Sequence, residues 1–149
     1  MSDTQTTAVP ALVLRRTYKA SPQSVFDAWT TPEIAATFLG PGDHALREVE
    51  MDVRTGGTYR MVMLKPDGER LPVSGTYRVV RPPHKLSMTW RWEEDDPADE
   101  YDSILTLEFN PVPGGTELVL THEQLASLES RERHGEGWAM ILDQLAAIR

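Results

Sequence analysis

The sequence contains no cysteine, which excludes disulfide bonds, thiol nucleophiles, iron–sulfur clusters and cysteine-ligated zinc. No stretch approaches the roughly 18 consecutive apolar residues of a membrane-spanning helix. The N-terminal segment also lacks the basic region and apolar core of a secretory signal. These absences argue against secretion and membrane spanning, and they predict a reducing compartment, the cytoplasm.

Positive charge is scarce, because 15 lysines and arginines stand against 23 aspartates and glutamates, a net charge of −8. The basic residues are scattered and form no stripe. Nucleic-acid affinity depends on neutralising phosphates, so nucleic-acid binding is disfavoured, and adsorption to anionic lipid is disfavoured by the same argument. The expected partner is therefore neither a nucleic acid nor a membrane.

Recognisable catalytic and metal-binding motifs are also lacking. The histidines are His44, His84, His122 and His134, with no i, i+4 pair and no HExxH pattern, so no metal site is predicted. There is no GxSxG, GxxxxGK[ST] or strand-associated GxGxxG motif. The acidic segment Glu93–Asp102 lacks the regular ligand spacing of a calcium loop and is predicted to be a solvated loop. No cofactor and no catalytic residue are predicted.

Capping signals near the N-terminus predict a strand followed by two short helices. A polar, flexible tail is expected over residues 1–10 and a single domain over residues 11–149. The segment Leu12–Lys19 is typical of a strand. Ser21-Pro22 and Thr31-Pro32 each supply a capping residue followed by proline at the first helical position. Two short helices are therefore expected directly after the first strand.

Beyond this point the hydrophobic period becomes two, beginning with the alternation of Val49, Met51 and Val53. Glycine, aspartate and proline turns divide the following residues into about six hairpin-linked strands. From about Ser127 the period returns to helical, with apolar positions at Trp138, Ile141, Leu142, Leu145 and Ile148. The separation of the strands and the helices into different stretches of the chain predicts an α+β fold, with an antiparallel sheet of six to seven strands and a long C-terminal helix.

Two glycines, Gly135 and Gly137, interrupt the beginning of the predicted C-terminal helix. Each costs about 1 kcal/mol relative to alanine inside a helix. Two interpretations stay open. Either the helix backbone closely approaches the sheet or a ligand at these positions, or the helix begins late, near Trp138.

A series of turn and cap residues carries a resemblance to a known family from about Leu12 to the C-terminus. In order, the residues are Ser21-Pro22 through Trp29-Thr30-Thr31-Pro32-Glu33, Gly40-Pro41, Asp52-Val53-Arg54-Thr55-Gly56-Gly57, Asp67-Gly68, Gly75, Pro82-Pro83, Gly115-Thr116, Thr121-His122 and Gly137-Trp138. Together they resemble the START-like, birch-pollen-allergen-like superfamily (SRPBCC), in the branch homologous to the C-terminal domain of the heat-shock-protein 90 ATPase activator. The resemblance implies a helix-grip fold, in which a curved sheet wraps around the terminal helix and leaves a ligand cavity between them.

Large side chains at inward-facing positions predict a largely apolar cavity. A curved sheet around a single helix is hard to fill with side chains alone, and methionines let a lining adapt to different ligands. The residues predicted to line the cavity are Trp29, Phe38, Tyr59, Met61, Met63, Tyr77, Met88, Trp90, Trp92, His122, Trp138 and Ile141. For any single one of them, ordinary core packing is an equal alternative. His122 is interpreted first as a satisfied core histidine and second as a polar anchor in the pocket.

Three functions stay open at this point. The first, ranked highest, is binding of a small hydrophobic or aromatic molecule without catalysis. The second is an enzyme resembling the polyketide cyclases and aromatases of the superfamily, in which His122, Tyr59, Tyr77 or Arg60 would position a substrate and handle protons. The third is a stress cofactor that docks on a chaperone, as the family name implies. A homodimer formed through a strand edge or a helix face is a further expectation.

Overall fold

A computed structural model describes residues 9–147 of the chain. Its elements are β1 (Leu12–Tyr18), α1 (Pro22–Thr30), α2 (Pro32–Phe38), β2 (Ala45–Met51), β3 (Thr58–Leu64), β4 (Arg70–Arg81), β5 (Lys85–Trp92), a 3₁₀ turn (Pro97–Asp99), β6 (Ser103–Val112), β7 (Gly115–Glu123) and α3 (Leu128–Leu145). All seven strands form one curved antiparallel sheet in the order β1-β7-β6-β5-β4-β3-β2. The predicted α+β fold is confirmed. Most of the predicted tail, residues 1–8, and the last helical position predicted, Ile148, lie outside the described residues.

The two short helices begin where their capping residues predict. The Ser21 hydroxyl accepts a hydrogen bond from the backbone N–H of Ser24 (3.1 Å), and the following proline opens α1. Thr31 occupies the cap position of α2, although its side chain makes no capping hydrogen bond. Helix α1 packs on β6 and β7, and α2 packs on β2, so the pair covers part of the sheet.

Helix α3 starts directly after Ser127, whose hydroxyl accepts a hydrogen bond from the Ser130 N–H (3.0 Å). The late start near Trp138 is therefore wrong. At Gly135 the helix approaches β1, since a Cβ there would lie 3.3 Å from a methyl carbon of Leu12. None of the helices within residues 9–147 combines the length and hydrophobicity needed to cross a bilayer.

Strand β2 differs from the alternation that its sequence predicts. It begins at Ala45 and ends at Met51, so Val53 falls in the loop that follows. Its pairing with β3 is irregular at Glu48, which adopts a left-handed backbone conformation with φ of 52°. The Glu48 carboxylate pairs with the guanidinium of Arg70 at 2.8 Å and with that of Arg60 at 3.6 Å.

A close approach between β4 and β5 requires glycine at position 75. A Cβ on Gly75 would lie 2.0 Å from the carbonyl oxygen of Thr89 and 2.8 Å from the phenol oxygen of Tyr59. Side chains replace the missing ladder bonds at this point. The Tyr59 O–H donates to the Thr89 carbonyl (2.6 Å), and the Thr76 N–H donates to the Thr89 hydroxyl (2.9 Å).

Several long-range hydrogen bonds attach α3 to the rest of the fold. The Tyr18 O–H donates to the backbone carbonyl of Leu142 (2.7 Å). The Gln144 amide donates to the carbonyls of Phe38 and Gly40 (2.9 Å each), and its oxygen accepts from the Gly42 N–H (2.8 Å). The loop after α2 is therefore held against the C-terminal half of α3.

Candidate functional site

A cavity of about 530 Å³ lies between α3 and the sheet. Its apolar wall comprises Pro41, Met63, Leu71, Trp90, Trp92, Ala126, Gly137, Trp138 and Ile141. Its polar members are His44, Glu94, Tyr101, Ser127, Ser130, Arg133 and His134. The volume lies within the range of about 300–1,000 Å³ that is usual for small-molecule sites, and mostly apolar walls with a few polar groups are typical of such sites.

Five of the residues predicted to line the cavity lie on its wall, namely Met63, Trp90, Trp92, Trp138 and Ile141. The others are buried in the core outside this wall: Trp29, Phe38, Tyr59, Met61, Tyr77, Met88 and His122. Some of these support the wall from behind, since the Trp29 ring centroid is 6.1 Å from that of Trp138. Ligand contact by any of these residues stays a prediction.

A chain of hydrogen bonds runs behind the cavity wall through His122, which is fully buried. The indole N–H of Trp138 donates to Nδ1 of His122 (3.0 Å). An indole nitrogen can only donate, so the proton of the neutral imidazole is on Nε2 and is directed at the hydroxyl oxygen of Ser103 (2.7 Å). The Ser103 hydroxyl in turn donates to the backbone carbonyl of Trp90 (2.9 Å). Both nitrogens of His122 are therefore engaged.

A second tryptophan–histidine pair lies on the wall itself. The indole N–H of Trp92 donates to Nε2 of His134 (2.9 Å). The proton of this imidazole is consequently on Nδ1, where it is donated to the carbonyl of Ser130 (2.8 Å). The ring centroids of His122 and His134 are 4.9 Å apart in an edge-to-face arrangement. The two imidazoles thus form one uncharged cluster with Trp92, Trp138 and Trp90, in which His122 is fully buried and His134 is half-buried.

Burial keeps both imidazoles neutral in the folded protein. It lowers the pKa of His122 from 6.5 to about 3, with a smaller contribution from the neighbouring His134. Burial also lowers the pKa of His134 below its usual range. Neither group is suited to exchange protons with a ligand near neutral pH, because each has a lowered pKa and both of its nitrogens are bonded.

We expect the free energy of unfolding to decrease as the pH falls below 6.5. Unfolded histidine takes up a proton near pH 6.5, whereas folded His122 does so only near pH 3. The unfolded state therefore binds more protons in this window, and His122 alone lowers stability by about 1.4 kcal/mol per pH unit below 6.5. Urea denaturation at pH 7.0, 6.0 and 5.5 measures this slope. A His122→Gln variant with the same slope as the native chain would contradict the assignment.

Three buried polar atoms have no hydrogen-bond partner within the described residues, and two of them belong to wall residues. They are the Nε1 of Trp29, the Nδ1 of His44 and the Nε1 of Trp90. An unpaired indole N–H is a donor with no alternative role. The wall thus contains an unused donor at Trp90.

Gly137 is the point at which the cavity reaches the backbone of α3. A Cβ placed on it would have no heavy atom within 4 Å outside its own helix and chain neighbours. Its backbone does not require glycine, because its φ is not positive. The two helix glycines therefore have different surroundings. Gly135 approaches the sheet at β1, and Gly137 opens onto the cavity.

The groups of the enzyme hypothesis do not meet on the cavity wall. Arg60 lies in a separate polar groove, and Glu93 accepts its guanidinium N–H groups at 2.8 and 3.0 Å. Tyr59 donates its proton within the sheet, and burial raises the pKa of Tyr59 and of Tyr77 well above the ordinary value. Within residues 9–147, no three acidic or histidine side chains are grouped closely enough to hold a metal ion.

All seven polar residues of the wall were missed by sequence reasoning. Ser130, His134, Gly137, Trp138 and Ile141 share one face of α3, with spacings of three or four residues between most neighbours. Trp138 and Ile141 were predicted to line the cavity, and the same helical spacing could have identified Ser130 and His134 once the helix was placed from Ser127. The loop members, such as Tyr101, carry no comparable local signal.

A curved antiparallel sheet that grips a long C-terminal helix over a cavity defines a helix-grip domain of the START-like superfamily. The sequence profile described as "Activator of Hsp90 ATPase homolog 1-like protein" (AHSA1) matches residues 19–149. The chain belongs to this family, as the resemblance implies.

Solved structures agree with this assignment. A protein from Chromobacterium violaceum, known from a crystal structure, shares 30% sequence identity with this chain. The two structures superpose with a TM-score of 0.85, and the match covers 92% of this chain and 94% of that one. The AHSA1 protein from Silicibacter pomeroyi is 29% identical, with a TM-score of 0.82 and coverage of 93% and 96%. A solution structure from Arthrobacter aurescens, at 18% identity and a TM-score of 0.82, shares the fold over 93% and 84% of the two chains. No curated protein matches the sequence significantly.

Proposed function

We propose that this protein binds a small, largely apolar or aromatic molecule in the cavity between the sheet and α3, without catalysing a reaction on it. The observation that carries the proposal is the cavity of about 530 Å³, on whose wall three indole rings meet. The ring centroid of Trp90 lies 5.8 Å from that of Trp92 and 5.0 Å from that of Trp138. Aromatic walls provide a large apolar contact area at a small entropic cost.

The glycine at position 137 supports the same function. Inside a helix, glycine costs about 1 kcal/mol relative to alanine. At Gly135 the contact with β1 accounts for the small residue, but no contact does so at Gly137. We infer that the glycine at position 137 leaves space for a bound molecule against the helix backbone.

Binding without turnover is supported by the chemistry of His122, which is buried, and His134, which is half-buried. His122 and His134 each use both ring nitrogens within the protein, and burial lowers the pKa of each. A general base needs a free nitrogen within reach of the substrate and a pKa near the working pH. These imidazoles serve instead to orient Trp138 and Trp92, two of the three indoles of the wall.

Native mass spectrometry of protein purified from its own host tests this proposal. We expect a co-purifying small molecule that is present under native conditions and lost on denaturation. A thermal-shift panel of aromatic and aliphatic compounds provides the second measurement. The absence of any bound species, together with no thermal shift, would overturn the binding function and favour a transient substrate or a protein partner.

A further inference from the structure

We propose that the bound molecule carries a hydrogen-bond-accepting oxygen group, such as a carboxylate or a ketone, at the end of the cavity formed by Tyr101, Ser127, Ser130 and Arg133. We call these four residues the donor cluster. All four lie on the cavity wall. This inference rests on the proposed function and specifies the chemistry of its ligand.

The tautomer of His134 leaves the hydroxyl proton of Ser130 available. Since Trp92 donates to Nε2 of this histidine, Nδ1 carries the proton and donates it to the Ser130 carbonyl at 2.8 Å, with the Ser130 hydroxyl oxygen at 3.3 Å. The hydroxyl of Ser130 can therefore only accept from this ring. Its own proton has no acceptor within residues 9–147, although the residue is buried.

The hydroxyls of Ser127, which is exposed, and of Tyr101, which is half-buried, also accept a backbone hydrogen bond. Ser127 accepts the capping hydrogen bond from the Ser130 N–H (3.0 Å). The Tyr101 oxygen accepts from the backbone N–H of Ala126 (3.2 Å). In both cases a backbone donor occupies the oxygen, and the hydroxyl proton has no acceptor in the part of the chain that the structure describes. Three hydroxyl groups on the cavity wall therefore have protons available to an acceptor on a ligand.

Arg133 adds a positively charged donor one turn further along α3. Its guanidinium pairs with Glu129 at 3.0 Å, but both side chains are largely exposed, at 65% and 81%. Exposed ion pairs of this kind contribute little, so Arg133 can turn to a ligand at small cost. Glu94 is the one carboxylate on the wall, and it is exposed to solvent, which screens its repulsion of an anionic group.

Four naphthalene probes with the same ring system test the proposal. The charged pair is 2-naphthoate and 2-naphthylmethylammonium, and the neutral pair is 2-acetylnaphthalene and 2-ethylnaphthalene. At pH 7.5, we expect calorimetry to show at least about tenfold tighter binding of the acceptor-bearing member of each pair. The neutral pair removes any effect of the overall charge of −8, which by itself favours the ammonium compound.

Variants of the donor cluster assign the preference to its residues. We expect Tyr101→Phe, Ser130→Ala and Arg133→Gln each to weaken naphthoate binding several-fold and to leave 2-ethylnaphthalene unaffected. Arg131→Gln is the matched control on the same helix, because Arg131 donates to the backbone carbonyls of Pro10 and Ala11 and not to the cavity. If the two members of each probe pair bind with equal affinity, this inference is overturned while the proposed function stands. A failure of all four probes to bind, together with no co-purifying species in native mass spectrometry and no thermal shift across the wider panel, would overturn the proposed function as well.

Discussion

Replacing His122 with alanine is expected to lower the free energy of unfolding by about 3–4 kcal/mol. The change removes a fully buried ring and leaves the indole N–H of Trp138 without an acceptor. It also deprives the hydroxyl of Ser103 of its donor. Urea denaturation followed by circular dichroism measures the loss.

His84→Ala is the matched control for this variant. His84 lies in the exposed turn between β4 and β5, and its replacement is expected to change stability by no more than about 0.5 kcal/mol. A double-mutant cycle with Ser103→Ala separates the hydrogen bond between the two side chains from the lost packing. A loss below 1 kcal/mol for His122→Ala would show that the ring does not connect α3 to the sheet.

Replacing Gly137 with leucine is expected to abolish, or to reduce by at least about a hundredfold, the binding of any molecule that occupies the cavity. A Cβ at this position has no heavy atom within 4 Å outside its own helix and chain neighbours, so we expect the leucine to extend into the cavity. The fold is expected to be at least as stable as the native one, because leucine has a higher helix propensity than glycine. Calorimetry with whichever compound gives the largest thermal shift measures the loss.

Gly137→Ala distinguishes loss of space from any change in the helix. Alanine adds only one methyl group at this position and is expected to raise the free energy of unfolding by about 1 kcal/mol while retaining ligand binding. If Gly137→Leu folds and binds as tightly as the native chain, the ligand does not occupy this cavity. If both variants lose stability, the backbone at this position requires glycine, and the assignment of open space is wrong.

The arrangement of secondary structure could be predicted from short-range sequence signals. Ser21 and Ser127 cap helices through bonds to residues three positions ahead, and such bonds depend on local sequence alone. The alternation of apolar residues likewise reflects the two faces of one strand. Strand β2 was predicted less well, since its irregularity at Glu48 accompanies an ion pair with Arg70 on another strand.

The residues of the cavity wall were predicted only where the periodicity of a single strand or helix identifies them. Trp90 and Trp92 both lie on the wall, as the two-residue period of β5 predicts. Met61 was predicted on the same grounds as Met63, but only Met63 lies on the wall, because the cavity occupies part of the inner face. Where α3 crosses the sheet decides which of two equally inward residues meets the cavity.

The sequence by itself determined the elements, their order, the family and the apolar character of the interior, because capping, hydrophobic period and turn residues act over a few positions. Tertiary structure alone decided the location of the cavity and the state of its polar groups. The proton of His134 is placed by Trp92, 42 residues away in the chain, and that of His122 by Trp138. Such contacts depend on how α3 lies against the sheet, and no local pattern in the sequence encodes that geometry.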